Sequence, residues 1–166
     1  MCRIGAIKSL DYVHPSRALR LMQSQQKGHD NSGFAMVMQN LGGIFESYKH
    51  LPTLSMACTD KGIKIAENIL HEIGFRRILQ WSPEVNDWPG LDINAMPHYV
   101  FETFNYPPQY ENARRKEREE LLLNTRLKLR AALEEDEEGF VYSFWPDVIT
   151  LKEIGDPRDI GTYFNL

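Results

Sequence analysis

The residue with the most chemistry in this chain is Cys2, within the opening Met1-Cys2-Arg3-Ile4-Gly5-Ala6-Ile7. Removal of Met1 would leave a thiol and a free α-amine on one residue, a nucleophile and a base side by side. An α-amine has an ordinary pKa of about 7.7–8.0, so part of it is neutral near pH 7 and able to take a thiol proton. A lysine amine, at about 10.4, would need heavy perturbation to do the same. With Met1 retained, that nitrogen is an amide and no base. The second stretch of interest is Lys27-Gly28-His29-Asp30-Asn31-Ser32-Gly33, ahead of the apolar run Phe34-Ala35-Met36-Val37-Met38. Its Asp, Asn, Ser and Gly are turn formers. Gly28 and Gly33 would also let backbone approach a substrate closely.

The elements that must position these residues follow from the pattern. Ile4, Ala6 and Ile7 read as a short strand, with Gly5 permitting close backbone approach. Pro15 suits the first turn of a helix running to Gln26, with Ala18, Leu19, Met22 and Gln26 on one side and Gly28 as its stop. Phe34 to Met38 is a strand. Gly42-Gly43 predicts a hairpin turn and Ile44 to Lys49 a returning strand. Leu51 to Thr59 is a further strand, its Cys58 a core residue. Asp60 is the expected N-cap of a helix over Lys61 to Glu72, ended by Gly74, with Ile63, Ala66, Ile69 or Leu70, and Ile73 buried. Phe75 to Gln80 is a strand, Ser82 to Pro97 a loop, and His98 to Tyr106 a strand. A long helix covers Glu111 to Glu134, burying Leu122, Leu129 and Leu133 behind a mixed-charge face. Phe140 to Trp145 and Val148 to Glu153 form a hairpin around Pro146-Asp147, and Asp156-Pro157 caps a terminal helix to Phe164.

Composition bounds the function. The 166 residues, 42% hydrophobic and 25% charged, suit one globular domain with a real core. A net charge of −4 without a basic stripe argues against a nucleic-acid partner. No apolar run is long enough to span a bilayer, and no signal peptide is visible, so a cytoplasmic location is expected. Two cysteines make no disulfide framework, and five scattered histidines form no local metal motif.

The opening Cys2-Arg3-Ile4-Gly5, taken with Lys27-Gly28-His29-Asp30-Asn31-Ser32-Gly33-Phe34-Ala35, resembles the class II glutamine amidotransferases, which are N-terminal-nucleophile hydrolases. That family opens Cys-Gly-Ile and, after one helix, carries Arg-Gly-His-Asp-Ser-Ala-Gly followed by a strand. Further along, His98-Tyr99-Val100-Phe101-Glu102 and Phe144-Trp145-Pro146-Asp147-Val148 look like the amidotransferase part of glutamate synthase-like systems.

The resemblance implies an α+β fold, an α-β-β-α sandwich of which residues 1–166 are the N-terminal part of one glutamine amidotransferase type 2 domain. It implies that Cys2 attacks the glutamine side-chain amide, that Gly28 lines the active-site wall, and that His29, Asp30 and Gly33 support the motif. Ammonia would pass to a partner synthase subunit or domain. Flavin and iron–sulfur centres belong to that partner, since two cysteines cannot hold a cluster that needs four. An incomplete sandwich would expose sheet edge and favour oligomers.

The departures from the family are specific. Arg3 stands where glycine is usual, and Lys27 replaces arginine, losing a bidentate fork. The family's Gly-His-x-Arg segment, which clamps the glutamine carboxylate, is absent, as is its Asn-Gly oxyanion pair. Loss of one oxyanion donor costs about 10²–10³ in rate. The missing parts are therefore expected outside this stretch of chain. The alternative expectation is a catalytically degenerate regulatory or assembly subunit that docks on a synthase.

Overall fold

The computed structural model describes residues 4–24, 33–86, 98–153 and 155–166. The fold is α+β. In chain order its regular elements are α1 (Ser16–Gln23), β1 (Phe34–Gln39), β2 (Pro52–Cys58), α2 (Asp60–Ile73), β3 (Arg76–Trp81), β4 (His98–Asn105), α3 (Arg115–Glu135), β5 (Gly139–Pro146), β6 (Val148–Glu153) and α4 (Pro157–Tyr163). Two 3₁₀ helices, Gly43–Tyr48 and Pro108–Tyr110, complete the list. The chain divides into two compact units. One comprises Met1–Met36, Pro83–Asn94 and Leu151–Leu166; the other comprises Val37–Ser82 and Ala95–Thr150.

The larger unit is built on an antiparallel sheet of order β3-β4-β2-β5. Strand periodicity sends Leu54, Met56 and Cys58 to one face and Thr53, Ser55 and Ala57 to the other. The first face joins Val100, Phe104, Val141 and Phe144 to Ala66 and Leu70 of α2 and to Leu122, Leu129 and Leu133 of α3 in one core. Phe75 fastens its aromatic end, with ring centroids 5.2 Å from Phe144 and 6.2 Å from Phe104. The opposite face is also buried at β2 and β4. Thr53 and Thr103 share a hydrogen bond of 2.9 Å there, and Ser55 Oγ accepts from the Thr150 N–H at 3.1 Å. Trp81 lies between Phe45 and Phe101, at 6.0 Å and 5.3 Å. Strands β2 and β4 are thus buried on both faces, polar residues included.

Helix α2 starts one residue earlier than expected. Thr59, not Asp60, is its N-cap: the Thr59 hydroxyl accepts from the Gly62 N–H at 3.1 Å and donates to the Glu138 carboxylate. Gly74 closes the helix in the left-handed conformation, at φ +102°. Helix α3 begins at Arg115, after the separate 3₁₀ turn at Pro108–Tyr110, and buries the expected Leu122, Leu129 and Leu133 together with Thr125.

Three expected elements take other forms. The returning strand over 44–49 is a 3₁₀ helix: Gly43 sits at φ +59°, and the helical turn swings Phe45 into a buried position against Trp81. The hairpin at Pro146-Asp147 does not form, because β5 and β6 belong to different sheets, β6 pairing with β1. Asp147, at φ +55°, turns the chain, and its carboxylate accepts from the Asn40 and Leu41 N–H groups at 3.1 Å and 2.8 Å. That pair of bonds ties the turn to the end of β1 rather than to a hairpin partner. The described part of the expected opening strand takes no regular structure either: residues 4–9 form no strand, and Ile4 is 92% exposed.

In the smaller unit, α1 and α4 pack on each other. They approach closely at Gly161, where a Cβ would meet Leu19 Cδ1 at 2.7 Å. Asp156 caps α4 as expected, accepting from the Arg158 N–H at 2.8 Å, with Pro157 in the first turn.

Candidate functional site

Four of the sequence-predicted residues, Cys2, Gly28, His29 and Asp30, lie outside the described residues. The described chain resumes at Ile4 and, after the second motif, at Gly33. Three positions after Cys2, Gly5 rests on α1, where a Cβ would meet Leu21 Cδ2 at 2.8 Å and Met22 Sδ at 3.2 Å. Close approach at Gly5 was expected; its partner is a helix rather than a neighbouring strand. The apolar residues Ile4 and Ile7 are exposed, so no strand pairing holds this segment. Gly33 adopts φ +119°, a conformation costly for any residue with a Cβ, immediately before β1. The order is thus Cys2, α1, the Lys27–Gly33 segment, then a strand.

The larger unit brings a second set of chemical side chains together. Cys58 and His98 stand opposite each other in the β2–β4 ladder, and His98 Nε2 lies 3.0 Å from Asp60 Oδ1. By residue type this is a thiol, an imidazole and a carboxylate. By environment it is no nucleophile. Cys58 is fully buried, and Cβ atoms at Gly62 and Gly139 would come within 2.9 Å and 2.8 Å of its own Cβ. Burial first, then the Glu102 and Asp60 carboxylates, push its thiol up to about 12. A buried neutral thiol fits the core role expected of it. Tyr142 is likewise pushed up to about 12, chiefly by burial and then by Cys58.

Sequence reasoning missed the charge inside this core. Glu102 is 0% exposed, on the helix-covered face of β4. Its Oε1 accepts from Arg77 Nη1 at 2.7 Å, and the same nitrogen donates to Glu67 Oε1 of α2 at 2.6 Å. Glu102 Oε2 has no partner among the described residues. Burial raises the Glu102 carboxyl above its ordinary value, and Arg77 opposes the shift. The available signal was a lone carboxylate inside His98-Tyr99-Val100-Phe101-Glu102-Thr103-Phe104, where an alternating strand should place only core residues.

Among the described residues no group of three or more His, Cys, Asp or Glu could hold a metal ion, and no helix is long and apolar enough to cross a membrane. No protein-family model matches the chain, and no curated protein matches it significantly.

Proposed function

We propose that this chain is the N-terminal part of a class II glutamine amidotransferase domain, glutamate synthase-like, with Cys2 as nucleophile once Met1 is removed. The observation that carries this reading is the order of elements around the motif. Gly5, three residues after Cys2, lies against α1, and Gly33, the last residue of the motif, leads directly into β1. Cys2 Sγ would attack the glutamine Cδ, its proton passing to the α-amine and on to the leaving ammonia. The resulting γ-glutamyl thioester takes up water and returns glutamate and the free thiol. Gly28 would form part of the substrate wall, with His29, Asp30 and Gly33 shaping it. Ammonia would go to a synthase partner, which would carry any flavin or iron–sulfur centre. Within this proposal the fold is part of an α-β-β-α sandwich, and the location is cytoplasmic.

The second reading, a degenerate docking subunit, is favoured by two observations. Residues 4–9 form no strand, and the chain has no Asn-Gly pair for an oxyanion hole. One experiment separates the two. Intact mass is taken before and after a glutamine-mimicking diazo or chloroketone reagent, with sequencing of the N-terminal peptide. Loss of Met1 with one adduct on Cys2 supports the amidotransferase. Met1 retained after expression with a competent aminopeptidase, or no adduct even in a longer chain, refutes it and leaves the docking subunit.

A further inference from the structure

Helix α3 presents an apolar stripe to solvent. Leu123 and Leu127 are 52% and 53% exposed, one turn apart on a helix of 21 residues. No other α-helix among the described residues exposes a large apolar side chain to that extent. Scattered exposed leucines are ordinary on a surface. These two are set apart by what flanks them. Lys116, Glu120, Leu123, Leu127, Arg130 and Glu134 are all exposed and recur at alternating steps of four and three residues. Such a repeat keeps one seam along a helix, the spacing by which two helices pack side by side. The seam lies on the side of α3 away from Thr125, which is buried together with Leu122, Leu129 and Leu133.

The order of the charges is a second observation. Reflected about Thr125, Lys116 falls on Glu134, Glu120 on Arg130 and Leu123 on Leu127. An antiparallel copy of α3 therefore sets each charge of the seam against its opposite and each leucine against a leucine. A parallel copy sets Lys116, Glu120, Arg130 and Glu134 each against itself, which is repulsive throughout. Within one chain these groups pair along the helix, Lys116 with Glu120 at 3.9 Å and Arg130 with Glu134 at 2.8 Å, and each stays at least 39% exposed. A facing copy adds a cross-pair to each of them and makes a four-charge cluster at either end of the leucines.

We propose that α3 is a self-association surface, on which a second copy of this chain seats its own α3 antiparallel, about a two-fold axis beside Leu123 and Leu127. The contact is isologous, the same patch on both copies, as a two-fold axis requires. The leucines supply its apolar centre. The charges fix direction and register, since exposed ion pairs add little affinity but like charges brought together are penalised. One helix pair over about 27 Å is a small interface, under the ~1,200 Å² of standard complexes, so the dimer is weak, with a Kd on the order of 100 µM. At the low micromolar concentrations of an unfolding experiment the chain is then monomeric, and truncating Leu127 disturbs no contact between copies. This inference is independent of Cys2 and of the amidotransferase reading.

The test is sedimentation equilibrium of the full chain from about 5 µM to about 500 µM, at low salt so that the charges act. The parent chain is expected to dimerise, and L123Q/L127Q, which removes the apolar centre, to stay monomeric. E120R sets arginine against Arg130 of the second copy, and R130E sets glutamate against Glu120, so each variant alone should associate about tenfold more weakly or worse. An equimolar mixture of E120R and R130E recovers opposite charges at both ends of a heterodimer. Its affinity should return to within about threefold of the parent, and that recovery shows that both variants fold. A parent chain still monomeric at about 500 µM gives the stripe to some other partner and overturns the assignment to a second copy. Association that E120R and R130E leave unchanged, or a mixture no tighter than either variant alone, overturns the antiparallel seam.

Discussion

Replacing Arg77 by methionine should destabilise the protein in a way that depends on pH. Arg77 Nη1 reaches Glu102 Oε1 at 2.7 Å and Glu67 Oε1 at 2.6 Å, so one cation serves two carboxylates. Glu67 is 42% exposed and falls back on water. Glu102 is fully buried, with a second oxygen already lacking a partner among the described residues. Removing one partner of a buried ion pair costs about 3–5 kcal/mol. Arg77 is itself 39% exposed, which weakens its Coulombic share and puts the expected loss near the bottom of that range, about 3 kcal/mol at pH 8. For a chain of this size that is a fall in Tm of roughly 6–12 °C. The pH sign follows from linkage. Burial raises the folded-state Glu102 carboxyl above its ordinary value, with Arg77 pulling it back. A raised carboxyl favours the folded state fully below its unfolded pKa, and that contribution is lost as pH rises through the folded value. Methionine removes the opposing influence and raises the folded value further. The deficit of R77M relative to the parent should therefore be small near pH 4 and grow to its full size by pH 8. Thermal unfolding at several pH values measures it, and the double variant R77M/E102L should recover most of the loss at pH 8. A deficit independent of pH, one below about 1 kcal/mol at pH 8, or no rescue by E102L would refute the argument.

Three further outcomes are expected. The Cys58 thiol, pushed up to about 12 and fully buried, should resist a water-soluble disulfide reagent at pH 8 and react only as denaturant unfolds the chain; rapid labelling of Cys58 in the native protein would contradict its burial. Gly62→Ala should cost about 1–3 kcal/mol by urea unfolding, because the new Cβ would run into the Glu138 backbone carbonyl and meet the buried Cys58 Cβ at 2.9 Å; an unchanged midpoint would show that the α2–β5 approach is looser. Leu129→Ala, at a position 0% exposed between α3 and the sheet, should cost about 2–5 kcal/mol, whereas Leu127→Ala, on the exposed side of the same helix, should change stability by less than about 0.5 kcal/mol. Equal effects at the two positions would mean that the buried face of α3 has been misassigned.

The sequence by itself determined what is local. Helix α3 and its buried Leu122, Leu129 and Leu133 follow from spacing, the stop at Gly74 from the need for positive φ, and the Asp156-Pro157 start of α4 from capping chemistry. The strands β1, β2 and β4 were legible as apolar runs, because a strand's side-chain period is visible without its partners. The proposal for Cys2 and the Gly28–Gly33 segment rests on residue types at a separation in the sequence.

Tertiary structure decided the rest. The turn residues at Pro146-Asp147 are those of a hairpin, but which strands pair depends on the distant Asn40 and Leu41 amides that the Asp147 carboxylate receives. Ile4 to Ile7 has the composition of a strand but forms none, and Gly5 lies against α1 instead. Glu102 reads as a polar residue in an alternating strand until the α2 layer covers it and Arg77 arrives from β3 to hold its charge. Leu19 and Gly161 lie far apart in the chain and meet because α4 packs on α1. In each case the deciding contact joins residues far apart in the chain, and no local propensity encodes it.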